Sequence, residues 1–135
     1  MRIVYQNDKG GVSVVIPSPH WAGTIEELAA KDVPDGKAYK IVEDSAVSTD
    51  RTFRDAWENY ESITTSLPKA KDITKKRLRL ERKPLLEEQD ILFMRSQETS
   101  ADTTAIVTEK QRLRDITTSA DSASTLDELK GLSAS

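Results

Sequence analysis

The single histidine, His20, stands in "PSPHWAG" between Pro19 and Trp21, and the 135-residue chain contains no cysteine. A histidine does acid–base or metal chemistry only with an acid, a nucleophile or further ligands beside it. The sequence around His20 supplies none, so a structural loop is expected there. "NDKGG", residues 7–11, brings a lysine and two glycines together as a phosphate loop does, but it lacks the full glycine spacing and the Lys-Ser/Thr pair. A hairpin turn accounts for it. Glu87, Glu88 and Asp90 could form a paired-carboxylate site. On one helix with Arg82 and Arg95 nearby, they read as a solvated face. No catalytic residue, cofactor site or metal site is expected, and the chain is not expected to be an enzyme.

One further segment carries chemistry. In "KAKDITKKRLRLERK", Lys75, Lys76, Arg79, Arg82 and Lys83 could follow a phosphate backbone. No aromatic side chain lies among them to stack on bases, and the isoelectric point near 5.3 argues against general nucleic-acid affinity. Contact with DNA or RNA is therefore not expected. Charge is unevenly placed: residues 1–67 hold 7 basic and 11 acidic side chains, 68–97 hold 9 and 5, and 98–135 hold 4 and 7. The basic middle suits an acidic protein surface, including the acidic part of a sister subunit.

Composition points the same way. Hydrophobic residues make up 36% and charged residues 32% of the chain, so a large private core is not expected. Of seven aromatic residues, Tyr5, Trp21, Tyr39, Phe53 and Trp57 fall early, which puts the compact core in the N-terminal half. "MRIVYQNDKGG" turns polar too soon for a secretory leader, and no run is long enough for a membrane span. A cytoplasmic protein is expected, or a component of a particle assembled in a cytoplasm.

These side chains need elements to place them. "RIVYQN" and "VSVVIPS" are β-branched runs flanking the glycine turn, with Val12, Val14 and Ile16 alternating as inward positions. "GTIEELAAKDVPDG" reads as a short helix capped by Thr24 with Glu27 as its capping-box partner, stopped by Pro34 and Gly36. "AYKIVED" reads as a third strand through Tyr39, Ile41 and Val42. Residues 1–49 thus form a small ββαβ module. In 50–67, Phe53, Trp57 and Tyr60 recur at helical spacing, which predicts a short aromatic helix as connector.

From residue 68 the pattern changes. Leu78, Leu85 and Leu92 repeat every seven residues, Leu86 and Phe93 widen the stripe, and Ile106, Leu113 and Ile116 resume it after a polar turn. This predicts an antiparallel helical hairpin over 68–118, its second helix spanning roughly 102–118. Pro84 interrupts the first helix yet leaves the seven-residue phase intact, so a bend or a fresh helix start is expected there. Residues 119–135 read as a polar tail with one short helix, capped by Thr125 and Glu128 and lined by Leu126, Leu129 and Leu132. The fold class expected is α+β.

"VYQNDKGGVSVVIPSP", "TIEELAAKDVPDGKAYKIVEDS" and "STDRTFRDAWE" together resemble a group of small proteins encoded by tailed bacteriophages. "RKPLLEEQDILFMR" and "EKQRLRDIT" resemble a helical segment of phage tail and tail-fibre assembly proteins: a basic residue, a Leu-Leu pair, an Asp, and a distal Leu-Arg-Asp. The resemblance implies a virion protein of the tail, fibre-attachment or neck region, or alternatively a fibre-assembly chaperone that leaves the finished particle. It implies location in the virion and in the host cytoplasm during assembly. Expected partners are other phage structural proteins or tail-fibre subunits and further copies of the chain in a homo-oligomer, with no membrane. Partner contacts are expected from Phe53, Trp57, Leu78, Leu85, Leu86, Leu92, Phe93, Ile106, Leu113 and Ile116.

Overall fold

Asn7 builds the first turn of the chain: its Oδ1 accepts from the N–H groups of Lys9 and Gly11 at 3.0 and 2.9 Å. Gly10 sits at φ +79°, a left-handed conformation that a side chain would strain. The turn joins β1 (Arg2–Gln6) to β2 (Val12–Val15), antiparallel, with Ile3 opposite Val15. β3 (Tyr39–Val42) pairs antiparallel on the other edge of β1, so the sheet order is β2-β1-β3. α1 (Ile25–Asp32) lies between β2 and β3 in sequence, with the capping box in place. Thr24 Oγ1 accepts from the Glu27 N–H at 3.1 Å, and Glu27 Oε2 accepts from the Thr24 N–H at 2.8 Å. The ββαβ module is present.

A computed structural model describes all residues, 1–135, and residues 1–66 and 67–135 form separate units. In the first unit both faces of the sheet are covered. Successive side chains of β1 point to opposite sides. Ile3 packs in a cluster with Leu28, Ala29 and Val33. Val4 packs in another with Val12, Val47 and Trp57, and Val14 lies against it. Ile16, expected to point inward, follows the end of β2 and is 55% exposed. Pro17 comes directly after it, where the ladder has already stopped.

Residues 50–67 do not form the expected aromatic helix. A single 3₁₀ turn, Arg54–Ala56, leads into a small antiparallel hairpin of β4 (Trp57–Glu58) and β5 (Thr64–Thr65). Asn59 takes φ +61°, a left-handed position that asparagine tolerates and that ends any helix. The reason is the sheet face opposite α1, which would otherwise be bare. The extended backbone lets Trp57 cover it, with Tyr60 and Ile63 against the same cluster, and that burial overrides helical spacing.

The second unit is helical: α2 (Leu67–Glu98), α3 (Thr104–Ser122) and α4 (Leu126–Gly131). α3 begins and ends a few residues later than the predicted 102–118, and the tail belongs to the same unit. Ion pairs fix the direction of the hairpin. Lys75, early in α2, meets Asp121, late in α3, while Lys110, early in α3, meets Asp90, late in α2, at 2.6 Å. The two helices are therefore antiparallel. Between them, Asp102 Oδ1 accepts from the Thr104 N–H and Oγ1 at 3.0 and 2.7 Å.

α2 runs through Pro84 without a second start. Proline leaves the carbonyl of the residue four before it, Leu80, without its helical donor. Leu80 and Pro84 are both exposed, so water can serve that carbonyl in place of the missing N–H.

Candidate assembly interface

The predicted contact residues divide by depth. Phe53 and Trp57 are buried within the first unit, Trp57 as part of the sheet's second core. Arg54 lies over the Trp57 ring at 4.6 Å, and burial there lowers the pKa of its guanidinium. Leu78 and Leu113 are fully buried in the second unit, where α2 packs against both α3 and α4. Leu85, Leu86, Phe93, Ile106 and Ile116 are half-buried. Leu92 is 38% exposed. The seven-residue leucine seam is thus mostly occupied inside one chain, and it opens toward the turn between α2 and α3.

Depth along the hairpin follows from α4. Beside the first half of α2, Leu129 of α4 is fully buried, and its Thr125 cap accepts from the Glu128 N–H at 3.2 Å. Glu128 Oε2 in turn accepts from the Ser124 N–H at 2.6 Å. α4 covers only the first half of the hairpin, where Arg77 of α2 reaches the Leu129 and Leu132 carbonyls. Toward the turn, Ile91, Leu92 and Met94 of α2 and Val107 of α3 stay exposed.

The basic run is divided between contacts within the unit and solvent. Lys71 Nζ donates to the Asp121 carbonyl at 3.0 Å, near the end of α3. Arg77 donates to the Leu129 and Leu132 carbonyls at 3.3 and 2.8 Å, at the end of α4. Arg82 donates to the Arg114 carbonyl at 2.8 Å. Lys71 and Arg77 thus place cations at helix C-termini, where they satisfy orphan carbonyls and oppose the negative end of the dipole, whereas Arg82 reaches the middle of α3. Lys76, Arg79 and Lys83 remain on the solvent side. Arg79 and Lys83, with Arg82, Leu86, Glu87 and Asp90, line an open groove of about 340 Å³.

A second network holds the tail, and the sequence carries almost no signal for it. Glu81 accepts from Arg77 at 2.6 Å and from the Ala134 N–H at 3.1 Å. Arg112 donates to the Ala134 carbonyl at 2.8 Å and is paired with Glu109. The Arg77 guanidinium, and then the Ala134 N–H, hold the Glu81 carboxyl below its ordinary range. Of all this, the four-residue Arg77–Glu81 and three-residue Glu109–Arg112 intervals alone are legible in the sequence.

His20 is exposed, its N–H donating to Ser18 Oγ at 3.2 Å. No group of three or more His, Asp or Glu side chains is placed to hold a metal ion, and no helix is long and apolar enough to cross a membrane. Comparison with protein-family models, curated proteins and solved structures found no match. The hairpin is packed by α4 at one end and carries exposed apolar side chains at the other.

Proposed function

We propose that this protein is a structural component of a tailed-bacteriophage particle, in the tail, the fibre-attachment region or the neck, acting through protein–protein assembly. The observation that carries the reading is the turn end of the hairpin, where Ile91, Leu92, Met94 and Val107 are exposed although a folded chain has reason to cover them. Each such side chain is about half exposed, so burying the remainder against a partner contributes about 0.5 to 1.5 kcal/mol. The likeness of "RKPLLEEQDILFMR" to a phage tail segment falls on this same stretch of α2. The partners are other virion proteins or fibre subunits, met in the host cytoplasm during assembly.

Mass spectrometry of purified virions tests this reading. The protein is expected among the particle's components, and its absence from clean virions overturns the structural role. A second reading is favoured by the same stretch, whose likeness extends to tail-fibre assembly proteins: a chaperone that covers fibre subunits and then leaves. In that case co-expression raises soluble fibre yield while virions lack the protein.

A further inference from the structure

We propose that the outer face of α2 is a self-association seam on which a second copy of this chain lies antiparallel. The proposal rests on the assembly reading above and names one of its partners. On that face Leu80, Pro84, Glu87, Ile91 and Met94 follow one another at alternating steps of four and three residues. Such steps keep a single line along a helix, as the positions of a heptad seam do. The line lies on the side away from Leu78 and Leu85, whose face packs inside the unit. Leu80, Ile91 and Met94 are 69%, 46% and 58% exposed.

Charge selects the occupant and its direction. Residues 69–83 of α2 carry eight basic and two acidic side chains, and residues 84–98 carry one basic and four acidic. A parallel pair would set basic half against basic half. An antiparallel pair sets each basic half against the other copy's acidic half, which is favourable at both ends of one symmetric contact. The apolar line chooses the register. With the two-fold axis between Leu85 and Leu86, Leu80 of one copy lies against Ile91 of the other. Lys83 then lies beside Glu87 of the other copy and near Asp90, which already holds Lys110 of its own chain. Like charges meet at two places, Arg95 with Lys76 and Glu87 with its own copy near the axis, while Arg77 is already turned to Glu81 and the tail carbonyls.

The seam is short and edged by exposed charge, so the dimer is expected to weaken as salt is raised. It leaves the inner leucines to the hairpin and keeps Leu92 and Val107 at the turn end exposed for other partners.

The absence of cysteine makes disulfide trapping a clean test. Three preparations of the full chain are oxidised: Leu80→Cys alone, Ile91→Cys alone, and an equal mixture of the two. In the antiparallel register the two copies of position 80 are eleven residues apart along the helices, about 16 Å. A disulfide needs Cα atoms within about 7 Å. The mixture is therefore expected to give a cross-linked heterodimer, at least about tenfold faster than a Ser119→Cys control whose thiol has no partner surface. The single variants are expected to stay uncross-linked. Cross-linking within each single variant means a parallel pair and overturns the proposal. Rates equal to the control in every arm, with a monomer mass by light scattering at low salt, also overturn it. Either failure leaves the virion test untouched, because that test reads incorporation into a particle.

Discussion

Arg77 and Leu132 are joined by a hydrogen bond of 2.8 Å from the guanidinium to the carbonyl, across 55 residues of sequence. The same side chain holds Glu81 and the Leu129 carbonyl, so one residue of α2 ties α4 and the segment after it to the hairpin. α4 is only 6 residues long, far below the length at which an isolated helix persists in water. Its order is therefore owed to this grip and to buried Leu129. Replacing Arg77 by Met keeps the aliphatic stem and removes the donors. Hydrogen bonds to a charged group contribute about 1.5 to 3 kcal/mol each, and the partial exposure of this side chain discounts that to about 1 kcal/mol. Native-state hydrogen exchange should show the amides of Leu129 and Leu132 losing protection about fivefold, with the Leu113 amide unchanged. Equal loss at Leu113 would mean that the helices open as one unit.

Acid should loosen the same clamp. The folded-state pKa of Glu81 lies below the ordinary value of 4.5, through the Arg77 hydrogen bond first and the Ala134 N–H second. A depressed carboxyl contributes stability that is fully present above the unfolded value and is lost as pH falls through the folded one. The tail is thus expected to stay closed down to about pH 4.5 and to loosen below it. Asp8, Asp44, Asp102 and Glu109 are lowered as well, each by a hydrogen-bonded partner, so global acid unfolding overlaps this window. A Glu81→Gln variant separates the two. If the Ala134 amide resonance of the parent moves in that window and the variant's moves identically, Glu81 is not the group responsible.

The elements that local spacing could place were the ones with a strong private signal. Thr24 and Glu27, or Thr125 and Glu128, mark helix starts because a cap is made by neighbours in sequence. Leu78, Leu85 and Leu113 were legible because a sustained seven-residue step has one meaning on a helix. The aromatic connector misled, since Phe53, Trp57 and Tyr60 have helical spacing, while their conformation is set by a bare sheet face that no window of sequence contains. The clamp on Ala134 was invisible for a similar reason: Arg112 and Glu81 reach backbone groups, which carry no residue identity to read. In the candidate interface, the seam was found but its occupant was not, because spacing does not say whether the facing helix belongs to the same chain.

Pro84 allows a direct measurement of what an interior proline costs in a helix that forms regardless. Alanine at this position restores the donor for the Leu80 carbonyl and removes the ring's clash with the preceding turn, a difference of up to about 3 kcal/mol. Hydration of an exposed carbonyl returns part of that, so a gain of about 1 to 2 kcal/mol is expected for Pro84→Ala by urea denaturation followed by far-UV circular dichroism. A loss of stability would mean that the helix is curved at this point and that its packing depends on the curve.

Trp57 carries the corresponding test for the first unit. It covers the sheet face opposite α1 together with Val4, Val12 and Val47, and it is 3% exposed. Truncation of a large buried aromatic residue costs about 3 to 5 kcal/mol, and a small three-stranded sheet has few other contacts to spread the loss. Trp57→Ala is therefore expected to unfold the first unit substantially, read through the fluorescence of Trp21, the one tryptophan left. Trp57→Phe, which keeps most of the apolar area, should retain the fold at a cost of about 1 to 2 kcal/mol. Were Trp57→Ala instead to leave the Trp21 transition in place and abolish only incorporation into virions, Trp57 would be acting on a partner rather than on its own sheet.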